Sequence, residues 1–250
     1  MTEFNKTRWA DNEFAKEYRD NADIFIVERQ RMIGIMASFY RYFISGNNKK
    51  ELLDLGCGDG ILIERILEID GNVSATLVDA SDDMLVKAKE RLKDYKNIDY
   101  IRASFQEVMG QDIIRSSFDF IVSSLAIHHL TTDEKMLFFN KIHSHLHKGG
   151  YFLNIDVILP PTDTLEQWYL QMWNEWMEEQ KKQFNIDRDL FKDVTRRYKA
   201  YDENKPDTLD SQLNALRDIG FVEVDCYYKY GVFAVYGGKR VSTAVIPEVL

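Results

Sequence analysis

The period of the apolar positions changes along this chain. Between residues 10 and 45 they recur at helical spacing, as in Ile24, Val27, Met32, Ile35, Met36 and Phe39. That stretch has no proline and one glycine, Gly34, so it predicts two helices with a break near Asn21. Ser45-Gly46-Asn47-Asn48 ends them. Short apolar runs and helical segments then alternate. Strands are expected at 51–55, 75–79, 98–102, 118–124 and 151–157, and helices at 60–69, 82–94 and 132–146. Such alternation implies an α/β fold with a parallel sheet and right-handed crossovers. Pro160-Pro161 stops the pattern. Residues 163–203 read as two helices without a strand, the first crowded with Trp168, Tyr169, Met172, Trp173, Trp176 and Met177, the second from Asp187 to about Ala200. A helix at 208–218 capped by Gly220 follows, then strands at 221–229 and 232–236 around a hairpin at Gly231.

The pattern is most specific at Leu52-Leu53-Asp54-Leu55-Gly56-Cys57-Gly58-Asp59-Gly60. A strand ends there in a glycine-rich turn that opens a helix, and glycines let a backbone approach a ligand closely. The spacing is G-x-G-x-G, because Ile61 stands where a dinucleotide fingerprint has its third glycine. Asp54 sits within the turn, where it would repel a pyrophosphate and attract an ammonium group. S-adenosylmethionine carries an amino acid moiety, a sulfonium and an adenosine, and no phosphate. Asp79 ends the second strand about 20 residues beyond Gly58, where a doubly wound fold sets a carboxylate against ribose hydroxyls. A cap on the following helix is the competing role, already filled by Ser81-Asp82-Asp83.

Residues 52–60 resemble motif I of the class I S-adenosylmethionine-dependent methyltransferases. The resemblance continues through Leu77-Val78-Asp79-Ala80-Ser81, Phe118-Asp119-Phe120-Ile121-Val122-Ser123-Ser124-Leu125 and Lys148-Gly149-Gly150-Tyr151-Phe152, in the family's order, over roughly residues 50–158. It implies a Rossmann-like, doubly wound, seven-stranded sheet whose last strand is antiparallel, with N-terminal helices and a helical cap insertion. The segments are then a helical lid at 1–47, a cofactor-binding core at 48–160, the cap at 161–206, and the completion of the sheet at 207–250. The implied cofactor is S-adenosyl-L-methionine, leaving as S-adenosyl-L-homocysteine. Its expected contacts are Asp54, Gly56, Cys57, Gly58, Asp79, Ala80, Met84, Ser104 and Phe105, with Arg29 for the carboxylate end. Ser104 stands where the family usually has an Asp toward the adenine amino group, and a hydroxyl can still accept that hydrogen bond. Arg29 competes with the commoner solvated helix arginine.

Methyl transfer from a sulfonium needs alignment and exclusion of water, and a base only where the acceptor must lose a proton. His128 and His129 follow the fourth strand at the carboxyl end of the sheet and are the candidates for a base, against the commoner role of a buried histidine bonded to the backbone. Trp168, Trp173, Arg197 and Tyr198 of the insertion are candidates for the acceptor side. No metal site is expected. Some likeness of layout to carboxy-S-adenosyl-L-methionine synthase, used in tRNA wobble modification, keeps a synthase or tRNA-modifying enzyme as an alternative. A non-catalytic S-adenosylmethionine-binding protein is the alternative of another class.

Charge and cysteines narrow the partners. The 250 residues carry a net charge of −9, which argues against DNA, bulk RNA and anionic membrane surfaces. The two cysteines, Cys57 and Cys226, lie in the turn and in a late strand, so a reducing compartment fits, and the N-terminus lacks a signal-type apolar run. The chain therefore reads as a cytoplasmic enzyme, monomeric or homodimeric, that methylates a small organic acceptor at oxygen or nitrogen.

Overall fold

The computed structural model describes residues 4, 7–186, 198–199 and 204–241. Seven strands form one sheet: β1 (Lys50–Leu55), β2 (Val73–Asp79), β3 (Ile98–Arg102), β4 (Phe118–Ser124), β5 (Leu146–Val157), β6 (Phe221–Tyr230) and β7 (Phe233–Arg240). Their order is β3-β2-β1-β4-β5-β7-β6. β1 to β5 pair in parallel, and β7 runs antiparallel to both β5 and β6. The order reverses beside β1, between β1 and β4, which puts a crevice at the carboxyl ends of those two strands.

Helices cover both faces. Before β1 come α1 (Asn12–Asp20), α2 (Ala22–Phe25) and α3 (Arg29–Phe39), the last running into a π turn at Tyr40–Ile44. The break at Asn21 is as expected. A second break was not: Glu28 takes a left-handed φ of 54° and splits the second helix in two. In the core lie α4 (Ile61–Leu67), α5 (Asp82–Arg91), α6 (Phe105–Gly110) and α7 (Thr132–His145). α8 (Asp163–Phe184) is the first helix of the insertion, and α9 (Leu209–Ile219) precedes β6. The second expected helix of the insertion, Asp187 to about Ala200, lies almost wholly outside the described residues. One apolar cluster holds the N-terminal helices, α4, α5 and α8 against one face of the sheet. Another holds α6, α7 and α9 against the other face.

Two strands run longer than the pattern predicts. β5 begins at Leu146 because Gly149, at φ 83°, and Gly150 form an irregularity in the pairing with β4 and do not end the strand. A Cβ on Gly150 would come within 2.9 Å of the Asp119 carbonyl oxygen. β7 continues through Gly237-Gly238, where a Cβ on Gly237 would overlap the Phe152 carbonyl of β5. Gly150 and Gly237 mark close backbone approach within the sheet.

Candidate active site

The turn after β1 is held by its own backbone and by Asp79. The amides of Gly56 and Cys57 both donate to the Val78 carbonyl, at 2.8 and 3.0 Å. Gly56, Gly58 and Gly60 all have positive φ, at 72°, 54° and 80°. A Cβ on Gly56 would meet the Cβ of Ala126 at 2.6 Å, whereas a Cβ on Gly58 would point into open space. Asp79 accepts from the Gly58 amide through Oδ2 at 2.9 Å and from the Ser81 amide through Oδ1 at 2.8 Å. Ser81 in turn caps α5 by accepting from the Met84 amide. Arg91 clamps the outer side of the turn, donating to the Asp59 carbonyl at 2.9 Å and to the Asp59 and Glu64 carboxylates at 2.6 Å each.

Asp54 is fully buried at the end of β1, and neither carboxylate oxygen has a hydrogen-bond partner among the described residues. Burial, then the charges of Asp79 and Asp59, push its carboxyl well above the usual carboxylate range. Burial raises Asp79 as well, and the amides of Ser81, Gly58 and Ala80 offset part of that rise. An acidic pair of this kind is short of a positive partner.

A cavity of about 220 Å³ opens over this floor. Asp54, Gly56, Cys57, Gly58, Asp79, Ala80, Met84, Ser104 and Phe105 line it, and Tyr18, Arg19 and Arg29 of the N-terminal helices close it from above. Arg29 holds Asp23 at 2.8 Å, and Arg19 reaches Asp83 at 3.3 Å. Ser104 does more than line the wall. Its hydroxyl accepts from the Glu107 amide and donates to the Glu107 carboxylate at 2.8 Å, so it is the N-cap of a capping box that starts α6. Those bonds use the hydroxyl's proton and one of its two lone pairs, and leave the other to accept.

A second cavity borders the first, and the two share Trp9, Tyr18, Ile26, Leu125 and His129. Its other walls include Phe14 and Phe25 from the N-terminal helices, Trp173 from α8, Tyr198, and Phe233 from β7. His128 forms part of its floor. The Nδ1 of His128 lies 2.6 Å from Oδ1 of Asp156, and the His128 amide donates to Oδ2 at 3.0 Å. Asp156 is completely buried on β5. Burial pushes its carboxyl up, but His128 and the hydrogen bonds from Val157 and Asn154 outweigh that and hold it below the usual range. Asn154 also donates to the Tyr236 hydroxyl at 2.8 Å.

Several sequence expectations change here. His128 bonds to a carboxylate through its ring, and not to the backbone. Trp173 and Tyr198 reach the second cavity, although Trp173 donates to the Phe25 carbonyl at 2.9 Å and Tyr198 to the Ile158 carbonyl at 3.1 Å. Trp168 reaches neither cavity: it is 54% exposed and packs on Tyr169, because it lies on the outer side of α8. Arg197 lies outside the described residues. The sequence reading missed Asp156, Trp9, Phe14 and Arg19. Asp156 was readable only as one of two polar residues, with Asn154, in the apolar second half of β5. Among the described residues no group of three or more His, Cys, Asp and Glu side chains gathers to hold a metal, and no helix is long and apolar enough to cross a membrane.

The methyltransferase-domain family matches residues 52–150, from the start of the glycine turn to the β5 glycines. Over that stretch the chain is similar to the methyltransferase domain of the class I S-adenosylmethionine-dependent superfamily. It is 31% identical over 116 residues to a malonyl-[acyl-carrier protein] O-methyltransferase of Ilyobacter polytropus, covering 46% of this chain and 41% of that protein. It is 24% identical over 206 residues to a carboxy-S-adenosyl-L-methionine synthase of Helicobacter pylori, covering 80% of this chain and 82% of that one. An O-methyltransferase family protein from Burkholderia thailandensis shares the fold at a TM-score of 0.67, with 13% identity over 96% of this chain and 64% of that one. The chain thus spans about two-fifths of the first relative and less than two-thirds of the solved structure. The superfamily's cofactor is S-adenosylmethionine, and the residues present fit it. The unpartnered Asp54 carboxylate suits its ammonium group, and the open space over Gly58 leaves room for its chain.

Proposed function

We propose that this protein transfers a methyl group from S-adenosylmethionine to a small organic acceptor. The observation that carries this reading is the juxtaposition of two cavities, one floored by the glycine turn and the other walled by aromatic side chains, with Trp9, Tyr18, Leu125 and His129 between them. The cofactor supplies an electrophilic methyl carbon on a sulfonium. The chain's own residues bind, orient and exclude water. Asp54 neutralises the ammonium group, and Asp79, while holding the turn, offers its remaining lone pairs to the ribose hydroxyls. Met84 and Phe105 pack on the adenine, and Arg19 or Arg29 meets the carboxylate. The division of labour follows the segments: Trp9, Phe14 and Phe25 of the N-terminal lid and Trp173 and Tyr198 of the cap enclose the acceptor, while the sheet and the helices of the core form the scaffold. A cytoplasmic setting agrees with the free Cys57 and Cys226. The net charge of −9 leaves nucleic acid a poor partner.

Titration calorimetry with S-adenosylhomocysteine and with NAD tests the cofactor. A dissociation constant near 10 μM for the former corresponds to about −7 kcal/mol. Binding of NAD alone would overturn the reading. A labelled-methyl screen against metabolite pools, tRNA and protein extracts then tests the acceptor class. The resemblance to a synthase over four-fifths of the chain keeps one rival in view. The product mass separates the two, because transfer adds a methyl group and the rival leaves a carboxylated cofactor. Cofactor binding with no transfer to any pool would mark a sensor.

A further inference from the structure

Three carboxylates line the first cavity, those of Asp54, Asp59 and Asp79, and each is held differently. Asp79 is occupied by the Gly58 and Ser81 amides. Asp54 has no donor among the described residues. Asp59 is drawn away from the cavity by Arg91, whose Nη2 donates to its Oδ2 at 2.6 Å and whose Nε donates to its carbonyl at 2.9 Å. Arg91 is the last residue of α5, and its Nη1 donates to Glu64 of α4 at 2.6 Å. Neither Arg91 nor Glu64 lines the cavity. Resting on the methyltransferase reading, we propose that Arg91 is a positioning residue that withholds Asp59 from the cofactor and thereby sets how strongly the cavity prefers the cationic sulfonium of S-adenosylmethionine to the neutral thioether of S-adenosylhomocysteine.

Asp59 lies between Gly58 and Gly60, both in the left-handed region, so neither chain neighbour has a side chain to steady it. A planar guanidinium that bonds the carbonyl and the carboxylate of the same residue fixes its main chain and its side chain together. The pair is partly buried, so water and salt screen it only in part. Burial opposes the charge on Arg91, but Asp59 and Glu64 outweigh it and hold the guanidinium above its ordinary value. The charge of Asp59 also reaches the floor: after burial and Asp79, it adds to the rise of the Asp54 carboxyl. The arginines at the cavity are engaged with other acids, Arg19 with Asp83 at 3.3 Å and Arg29 with Asp23 at 2.8 Å. The clamp thus sets one positive charge against the two negative charges of Asp59 and Glu64. Loss of the guanidinium leaves both acids unbalanced and frees Asp59 to turn toward the ligand. S-adenosylmethionine and S-adenosylhomocysteine share one ammonium and one carboxylate, and the first carries one positive charge more. Added negative charge therefore favours the first over the second. A role confined to shaping the turn would weaken both alike.

The test is titration calorimetry of the full chain at low ionic strength with S-adenosylmethionine, S-adenosylhomocysteine and sinefungin, which has a protonated amine in place of the sulfonium. The readout is the affinity for each cationic probe divided by that for S-adenosylhomocysteine. Arg91→Gln should raise this ratio by about fivefold or more, and Asp59→Asn should lower it by about threefold, because the local charge changes by one unit in opposite senses and only the first variant also frees a carboxylate. Arg91→Lys keeps the charge and should keep the ratio within about twofold of the parent. The double variant Arg91→Gln, Asp59→Asn should also return to within about twofold, whereas damage to the turn would accumulate. If Arg91→Gln does not fold, Asp59→Asn carries the test alone. A ratio unchanged in the single variants, losses that fall equally on all three probes, or a double variant further from the parent than either single one would each overturn the proposal and leave the methyltransferase reading standing. Failure of the parent protein to bind S-adenosylhomocysteine at all would sink both.

Discussion

Asp54 and Asp79 lie in the floor of one cavity, yet their surroundings treat them differently. Asp79 has the Gly58 and Ser81 amides on its oxygens, and Asp54 has no donor among the described residues. A buried carboxyl without donors holds its proton to higher pH than in the unfolded chain. Folding stability contributed by Asp54 is therefore present at low pH and lost as pH rises from the usual carboxylate range through the raised native value. An ammonium group beside it reverses the preference. Binding of S-adenosylhomocysteine should thus release a proton, and affinity should strengthen with rising pH until Asp54 is ionised in the free protein. Calorimetry in buffers of different ionisation enthalpy reads that proton directly. Asp54→Asn should abolish the release and weaken binding, while melting no lower than the parent at mildly alkaline pH. Undiminished proton release in the variant would assign the linkage to another group.

The elements around the turn give the two glycines opposite jobs. Gly56 sits against Ala126, and Gly58 faces open cavity, although both have positive φ. Gly56→Ala should cost several kcal/mol of stability, since left-handed strain of about 1–2 kcal/mol adds to overlap with Ala126. Gly58→Ala should cost only the strain, about 1–2 kcal/mol, and lose affinity for S-adenosylhomocysteine because its methyl group occupies the ligand's space. Thermal melts set beside binding titrations separate the two outcomes. The order of strands and helices was legible because alternating apolar runs set it and each run is local. α6 was not read, although Ser104 and Glu107 spell a capping box, because six residues carry little periodicity. The strands expected at 151–157 and 232–236 stop short at Gly150 and Gly237, since a glycine that ends a strand and one that admits a neighbouring backbone look alike until the neighbour is known. The glycine turn of the site was legible for the same local reason. The second cavity was not, because its aromatic walls come from four separated segments.

Across the whole molecule, the cavities are closed by a tie between distant parts. Trp173 donates through Nε1 to the Phe25 carbonyl at 2.9 Å, and Trp176 to the Ile24 carbonyl at 3.2 Å, fastening α8 to α2 above the sheet. Trp173→Phe should orphan a buried carbonyl, at about 1–3 kcal/mol. Hydrogen exchange of the α2 amides should then quicken by about tenfold or more, while β1 and β4 amides keep their protection. Uniform acceleration in the sheet would mean that this tie is part of the global core. The same tie has a consequence for how the chain is made. Phe25 and Trp173 are 148 residues apart. At the ribosome's pace of about 5–20 residues per second, α2 emerges roughly 7–30 s before its partner helix exists. For that interval Ile24, Phe25, Ile26 and Val27, all buried in the finished protein, have no α8 to cover them. A segment synthesised well before α8 is thus among the last to be enclosed, and the growing chain carries exposed apolar side chains at α2 until α8 has been synthesised.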